Sequence, residues 1–355
     1  MRFLRFLLRC LFSKITAILC LGVVLCGLIV SVQTIETNLR TPLNLPETGM
    51  VLDIRSGMTI ENVVAELERD NILKNGNYLK WYARLTGEAS KLKVGEYALE
   101  PMLTPVELLS ILTSGRGIQY SFTIIEGWNF TQVREALEKS PYLKQTLKGL
   151  TPDEVMVALG LEGKPYEGYF LPDTYFFPKN YSDADLLKRS YEAMDKVLSQ
   201  AWEKRDENLP VKTPHELLTL ASIVEKESAI PEERPEIAGV FVRRLQKGMR
   251  LQTDPTVIYG LGERYAGNGK IYRSDLQRDT PYNTYTRDGL PPTPIAMPSR
   301  EAIWAASHPK PGKSLYFVAK GYVSEGHQFS NTLEEHNRAV RAYRQWEATQ
   351  KKSSQ

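Results

Sequence analysis

The amino-acid sequence predicts an α+β fold that begins with a transmembrane helix. A 21-residue stretch, Ile15–Ile35, carries no charged side chain. A strand, two helices and a second strand are predicted between Val51 and Leu99, and helical and strand-like patterns are mixed after residue 118. These patterns divide the chain into a basic flank with a transmembrane helix (1–36), a stalk (37–49), a small βααβ module (50–117), a mixed α+β domain (118–348) and a polar tail (349–355).

The composition is that of an ordinary globular protein. Of 355 residues, 42% are hydrophobic and 25% are charged, which leaves room for two domains after the N-terminal segment. The net charge of +3 is too small and too dispersed to favour a nucleic-acid partner. No Cys-x-x-Cys or His-x-x-x-His spacing occurs, and the four histidines are scattered. We therefore expect no metal site and no cofactor.

The N-terminal segment has the charge pattern of a membrane anchor. Arg2, Arg5, Arg9 and Lys14 precede or adjoin the apolar stretch without any acidic residue. At about 1.5 Å per residue, a helix of this length spans the ~30 Å hydrocarbon core of a bilayer. The basic flank is expected to stay cytoplasmic, which places the large domain across the membrane.

A cleaved signal peptide is the alternative to an anchor. Its apolar region is usually about 7–15 residues long and ends at an A-x-A-like site, which this sequence lacks. Cys20 and Cys26 each follow a leucine, which a lipoprotein signal does not favour. With Cys10, they are the only cysteines, so the large domain has none, as suits the bacterial periplasm. We expect a single-pass inner-membrane protein with a periplasmic domain.

The module over residues 50–117 has a simple element order. A strand from Val51 is followed by helices over Thr59–Arg69 and Asn77–Leu85 and by a strand over Gly95–Leu99. A third helix begins at a Thr-Pro-x-Glu capping box at Thr104. This order resembles a LysM-like module, a glycan-binding fold. A spacer that only holds the next domain away from the membrane is the alternative.

A helix is predicted over Thr213–Ser228, and it ends in two acidic residues. Its apolar stripe consists of Leu217, Leu220, Ala221 and Val224. Glu225 and Glu227 follow, about 200° apart around the helix axis, so they cannot share one site while the helix is unbroken. A carboxyl at the edge of a buried face is desolvated, holds its proton more tightly and can act as a general acid. A solvated helix end is the alternative.

Several other segments carry distinctive patterns. Glu167–Phe177 is rich in aromatic residues and contains a proline, so it cannot be a regular central strand. A short helix is predicted to begin at Pro255, with Thr253 or Asp254 as its cap. Residues 262–294 are rich in Gly, Pro, Tyr and Asn, which predicts a functional loop. A hairpin over Leu315–Ser330 and a helix over Thr332–Glu347 close the domain.

Several of these motifs together resemble the YceG/MltG family of inner-membrane endolytic murein transglycosylases. The resemblance covers essentially the whole chain. The residues that carry it are Ala221–Glu227, Leu251–Thr256, Tyr282–Tyr285, Gly289–Pro292, Phe329–Thr332 and Glu167–Tyr175.

The resemblance implies cleavage of the MurNAc–GlcNAc β-1,4 bond within peptidoglycan glycan strands, without water. The 6-hydroxyl of the muramic acid attacks its own anomeric carbon and leaves a 1,6-anhydro end, which can terminate a growing strand. It also implies cell-wall synthases as partners. The family's acid/base is the second Glu of Glu-Lys-Glu, here Glu227, whereas the helix geometry alone does not choose between it and Glu225. One carboxyl suffices if it first donates a proton and then accepts one.

Six further residues in or just after these motifs are candidates for binding the glycan: Gln252, Asp254, Tyr259, Tyr282, Asn283 and Tyr285. Side-chain amides suit N-acetyl groups, and tyrosine rings can stack on sugar faces. Helix capping is the alternative role for Asp254, and half-buried packing is the alternative for the tyrosines. Glu225 is expected to form a surface or interface salt bridge.

Two other functions fit the same residues. A muramidase would cleave the same bond with water, although such enzymes normally need two carboxylates at a defined separation. A glycan-binding scaffold without activity is the second alternative, which the anchor and the LysM-like module favour and the intact Glu227 motif disfavours.

Overall fold

A computed structural model describes residues 2–266, 269–321 and 326–353 of the chain. The chain forms two compact units. The first extends to Tyr120 and includes Phe177–Lys179, and the second comprises Ser121–Phe176 and the chain from Asn180 onward. Helical and extended segments are mixed in both, so the α+β class is confirmed.

The chain begins with a long helix, α1 (Arg2–Arg40). Its part over Leu21–Arg40 is long and apolar enough to cross a membrane; its large apolar side chains from Leu21 to Val32 are exposed, whereas Leu39 is buried. The sequence predicts a stalk from Thr37, and the structure continues the helix through the first part of that segment, to Arg40. The reason is local: Glu36 pairs with Arg40 at 3.2 Å one turn later, and the first proline is Pro42.

The rest of the first unit has the element order that the sequence predicts. Strands β1 and β2 pair in antiparallel register, with Met50 opposite Leu99 and Ile54 opposite Gly95. Thr104 and Glu107 form the predicted capping box. The apolar faces of the helices and strands make one core. The elements are β1 (Met50–Ile54), α2 (Ile60–Arg69), α3 (Asn77–Leu85), β2 (Gly95–Leu99) and α4 (Pro105–Ser114).

The second unit is mainly helical, with short strand pairs around it. Its first strand begins at Tyr120. Its elements are β3 (Tyr120–Thr123), α5 (Phe130–Glu138), β4 (Leu143–Lys144), α6 (Pro152–Ala158), β5 (Thr174–Phe177), β6 (Tyr181–Ser182), α7 (Asp183–Glu203), α8 (Pro214–Glu227), α9 (Arg234–Gln246), α10 (Asp254–Leu261), α11 (Glu263–Ala266), α12 (Arg273–Gln277), α13 (Arg300–Ser307), β7 (Tyr316–Ala319), β8 (His327–Ser330) and α14 (Leu333–Ser353).

Helix α8 is the centre of the second unit. It packs against α7, α9, α10 and α13. Every side chain over residues 217–224 is buried, which is more than the predicted stripe, because neighbours cover all sides of the helix. At its start, the Thr213 hydroxyl accepts the backbone N–H of Glu216 at 3.1 Å. The Glu216 carboxylate accepts the N–H of Lys212 and does not complete the predicted capping box with Thr213.

The segments around α8 follow the sequence predictions in part. The hairpin of β7 and β8 is confirmed as antiparallel, with Tyr316 opposite Ser330. The aromatic segment forms β5 only after Pro172, and β5 pairs with β3 alone. The segment 262–294 is not a continuous loop, because it contains α11 and α12.

Gly168 fixes the path of the aromatic segment and gives a first prediction. Its φ is +84°, and a Cβ there would collide with the side chain of Pro294. Gly163 has a similar φ of +72° but open space around it. Gly163→Ala should therefore cost only the left-handed penalty of about 1–2 kcal/mol, whereas Gly168→Ala should cost at least ~3 kcal/mol. Thermal unfolding of both variants measures the difference, and equal losses would contradict the packing described.

Candidate functional site

The two acidic residues at the end of α8 lie in different surroundings. The carboxylate of Glu225 is buried, lies 2.9 Å from the guanidinium of Arg234 and accepts the backbone N–H of Ser299 at 2.9 Å. The sequence predicts a surface or interface salt bridge. The salt bridge is confirmed, but a surface position is wrong, because α9 and α13 cover this side of α8. The charge of Glu225 is thus neutralised within the core.

Glu227 is the last residue of α8 and has no ion pair among the described residues. Its carboxylate accepts a hydrogen bond from the hydroxyl of Thr253. Burial raises the pKa of Glu227 to about 7, and the nearby charge of Asp254 acts in the same direction. The Thr253 hydrogen bond and the charge of Arg244 oppose this shift. The C-terminal end of a helix dipole also disfavours a negative charge. Near neutral pH the group is therefore poised between its two protonation states.

Thr253 holds this carboxylate from a buried and hydrogen-bonded position. Its N–H donates to the hydroxyl of Thr284 at 3.1 Å, and its carbonyl accepts from Thr256 at 2.8 Å. Gln252 has a φ of +51°, a conformation that costs energy for a residue other than glycine. Thr253 stands at the cap of α10, but its hydroxyl bonds no backbone group of that helix. It bonds Glu227, a role that the sequence did not reveal.

Arg244 supplies the positive charge near Glu227. It is buried in α9, and it donates to the carbonyl oxygens of Leu315 and Leu251 at 2.7 and 2.9 Å. Its guanidinium also lies 5.0 Å from the ring centroid of Tyr316. Arg244 is not among the residues that the sequence motifs single out. A signal was present, since Arg244 is four residues after Val240 and so falls on the apolar face of α9.

Three of the predicted binding residues surround this carboxyl. The Tyr285 hydroxyl donates to Asp254 at 2.6 Å. The charge of Asp254 helps to raise the pKa of Glu227, and the charge of Glu227 helps to raise the pKa of Tyr285. Gln252 is exposed and lies 3.5 Å from Arg244. Asp254 is exposed as well. A polar surface next to Glu227 is therefore formed by Gln252, Asp254 and Tyr285.

A second cluster forms around Glu167, which was recognised only as part of a motif. The Tyr259 hydroxyl donates to Glu167 at 2.9 Å, and the N–H of Phe130 donates to the same carboxylate at 3.1 Å. Burial raises the pKa of Glu167 to about 7 despite these donors. The rings of Tyr259 and Tyr282 meet edge to face at 4.8 Å, and Tyr282 bonds the hydroxyl of Thr293. Helix α10 links the clusters, with Asp254 at its start and Tyr259 further along.

Asn283 is the exception among the candidate residues. It is almost fully buried, at 1% exposure. Its amide nitrogen donates to the carbonyl oxygens of Asp275, Leu276 and Arg278, and its amide oxygen accepts the N–H of Tyr285 at 2.8 Å. The amide is thus fully used in holding the loop together, and it is not free to bind an N-acetyl group as the sequence analysis expects.

The buried ion pair of Glu225 predicts a loss of stability. Glu225→Gln leaves the guanidinium of Arg234 buried without a full counter-charge, which typically costs about 3–5 kcal/mol. The exposed pair between Glu334 and Arg338 is the control, because Glu334→Gln should change stability by less than ~1 kcal/mol. Chemical denaturation of both variants measures this, and a stable Glu225→Gln protein would contradict the burial of the pair.

The raised pKa of Glu227 predicts a pH-dependent effect of Glu227→Gln. The folded protein keeps this proton up to about pH 7, whereas the unfolded chain releases it near its usual value of 4.5. The stabilising contribution is therefore full below pH 4.5 and is lost as the pH rises through 7. Relative to the native chain, Glu227→Gln should gain stability, on the order of 1–3 kcal/mol, between pH 4.5 and pH 8.5. Paired thermal melts measure this, and a difference independent of pH would mean an ordinary pKa.

Comparison with known proteins places these residues in a family. Residues 52–342 match the model of the YceG-like family. The chain is 32% identical over 316 residues to the endolytic murein transglycosylase of Bacillus subtilis (strain 168), an alignment that covers 84% of this chain and 85% of that protein. It is 30% identical over 323 residues to the endolytic murein transglycosylase of Streptococcus pneumoniae serotype 2 (strain D39), covering 82% of this chain and 58% of the other.

A solved structure gives the same result for the fold. The yceG-like protein of Listeria monocytogenes is 30% identical and superimposes with a TM-score of 0.53. The superposition covers 82% of this chain and 99% of that protein. With a family model matching most of its length, the chain belongs to the YceG-like family.

Proposed function

We propose that this protein is an endolytic murein transglycosylase, a lyase that cleaves the MurNAc–GlcNAc β-1,4 bond within glycan strands. Relatives with that activity in their names, at 30–32% identity over most of the chain, support the reaction. The observation that carries the proposal is the carboxyl of Glu227. It lies at the end of a buried helix, accepts a hydrogen bond from the Thr253 hydroxyl and has a pKa of about 7.

The first step uses Glu227 as a general acid. The protonated carboxyl donates its proton to the glycosidic oxygen as the bond to the muramic acid C1 breaks. A pKa close to the working pH favours this step, because a substantial fraction of the enzyme carries the proton and the proton is still readily given up. Thr253 holds the carboxyl in one orientation throughout.

The second step uses the resulting carboxylate as a base. It takes the proton from the 6-hydroxyl of the same muramic acid while that oxygen attacks C1 and closes the 1,6-anhydro ring. The proton lost in the first step is thereby regained, and no water is consumed. Arg244 stabilises the carboxylate between the steps, since its charge lowers the pKa of Glu227.

The surrounding side chains suit a neutral sugar chain. Asp254 supplies negative charge near the centre where an oxocarbenium-like positive charge develops. The hydroxyls of Tyr259, Tyr282 and Tyr285 are all bonded within the protein, so these residues would offer sugars their rings. Gln252 would offer its exposed amide to N-acetyl groups. Asn283 would act by positioning the loop.

A hydrolytic muramidase is the second candidate, and Asp254 is the observation that favours it. This carboxylate is close enough to Glu227 to raise the pKa of Glu227. In a hydrolase, a second carboxylate activates water or attacks the anomeric carbon. Its bond to Tyr285 argues for a fixed electrostatic role instead. The products separate the two reactions, because the anhydro end is lighter than the hydrolytic end by one water.

The N-terminal helix supports a membrane-bound location. The helix has an apolar span of 20 residues, Leu21–Arg40, with basic residues before it. We propose that it anchors the chain in the inner membrane with the N-terminus in the cytoplasm and the catalytic domain in the periplasm. The β–α–α–β order of the first unit supports a LysM-like module that binds glycan.

The reaction predicts a strong effect of Glu227→Gln on activity. The amide can still accept the Thr253 hydrogen bond but has no proton to transfer, so cleavage should fall at least ~10²–10⁴-fold. The matched control is Glu203→Gln, because Glu203 is the exposed last residue of α7. Release of anhydro-muropeptides from purified sacculi, followed by mass spectrometry, measures both. Near-native cleavage by Glu227→Gln would exclude Glu227 as the acid/base, and products heavier by one water would identify a hydrolase.

A further inference from the structure

A groove of about 780 Å³ lies beside the last turn of α8 within the second unit. It is lined by residues 123–127, by residues 172–174, by the start of α13 and by Glu225, Lys226, Ser228 and Ala229. Glu227 and the residues around its carboxyl are not among the lining residues. The groove lining thus includes the residues on either side of Glu227 in the chain, Lys226 and Ser228, but not Glu227 itself.

The groove is distinguished by fixed charges of both signs. Its charged lining includes Glu126, Asp173, Lys226, Arg234, Arg300 and Glu301. Buried Arg234 bonds Glu225 at 2.9 Å and lies 3.8 Å from Glu126, so one cation serves two carboxylates.

The cations at the groove surface are available to a ligand. Arg300 is half exposed and lies 3.7 Å from Asp173, which is a loose pair. Lys226 donates to the carbonyl oxygen of Gly127 at 3.1 Å and has no ion pair among the described residues. A ligand carboxylate would therefore meet two cations that are incompletely neutralised. Glu126 shares the positive charge of Arg234 with Glu225, so its carboxylate would bind an ammonium group of the ligand.

These charges do not suit a neutral glycan. None of the residues that line the groove is aromatic, whereas three tyrosines lie in the clusters around Glu227 and Glu167. Murein consists of glycan strands whose muramic acids carry short peptides with carboxylates and, where uncrosslinked, a free amino group. We infer that the groove binds this peptide, with Lys226 and Arg300 taking its carboxylates and Glu126 its amino group.

The distances permit this arrangement, which rests on the proposed function. The Cα atoms of Lys226 and Glu227 are adjacent, about 3.8 Å apart. A peptide of three or four residues extends roughly 10–14 Å. A peptide attached to a muramic acid at Glu227 can thus pass the end of α8 and enter the groove.

The test compares two substrates with the full chain in detergent. One is uncrosslinked strands that carry their peptides, and the other is the same strands after an amidase has removed them. The native protein should show a higher kcat/KM on the first. Arg300→Gln should lower that value roughly five- to tenfold and leave the value on stripped strands within about twofold, as expected for one exposed charged contact. Arg300→Lys should restore most of the loss.

The control is Lys188→Gln, an equal charge change at an exposed lysine of α7 outside the groove, which should have no effect on either substrate. Equal kcat/KM of the native protein on both substrates would overturn the inference, as would an equal loss on both by Arg300→Gln. Titration with the free peptide is independent of cleavage and should reveal binding that Arg300→Gln weakens roughly five- to tenfold. If the free peptide does not bind, only the inference about the groove is overturned. If the peptide binds but the strands are not cleaved, the proposed function is overturned.

Discussion

Helix α8 is buried on every side, and this burial governs the chemistry of the two carboxyl groups in its last turn. A carboxylate removed from water needs compensating charge or hydrogen bonds, or it keeps its proton. Glu225 receives a guanidinium at 2.9 Å and a backbone N–H from the start of α13. Glu227 receives one hydroxyl. The same helix turn therefore produces one permanent structural charge and one group that titrates close to neutrality.

The difference between the two nearby arginines explains why Glu227 stays poised. Arg234 forms a direct ion pair with Glu225. Arg244 directs its donors to the carbonyl oxygens of Leu315 and Leu251, so its charge reaches Glu227 only through space. A direct pair would hold the carboxyl ionised and remove the proton that a general acid must donate. Arg244 thus stabilises the carboxylate without fixing it in that state, as a group that gives and regains one proton requires.

The sequence predicts helices and strands whose signals come from residues close together in the chain. It does not predict contacts between residues that are far apart in the chain. The helix predicted over Asn77–Leu85 is confirmed there as α3, since its apolar period is a local signal. The role of Thr253 depends on its hydrogen bond to Glu227, which is 26 residues away in the chain. The role of Arg244 depends on its hydrogen bond to the Leu251 carbonyl, in the loop before α10. Asn283 is the opposite case, because its residue type predicts a binding role that its contacts in the fold exclude. Its polarity suggested a binding residue, but only the fold reveals three backbone carbonyls around its amide.

The last turn of α8 lies between two polar regions that differ in their charged groups. On the Glu227 side lie the Thr253 hydroxyl, the Tyr285 ring and the carboxylate of Asp254, which accepts a hydrogen bond from Tyr285. On the Glu225 side lies a groove with cations and carboxylates held in place by buried Arg234. Such an arrangement suits a polymer with a neutral backbone and charged branches, because a further carboxylate beside Asp254 would raise the pKa of Glu227 beyond the value that Asp254 already helps to set. In the proposed reaction, a peptide branch held in the groove would be recognised apart from the proton transfer at Glu227.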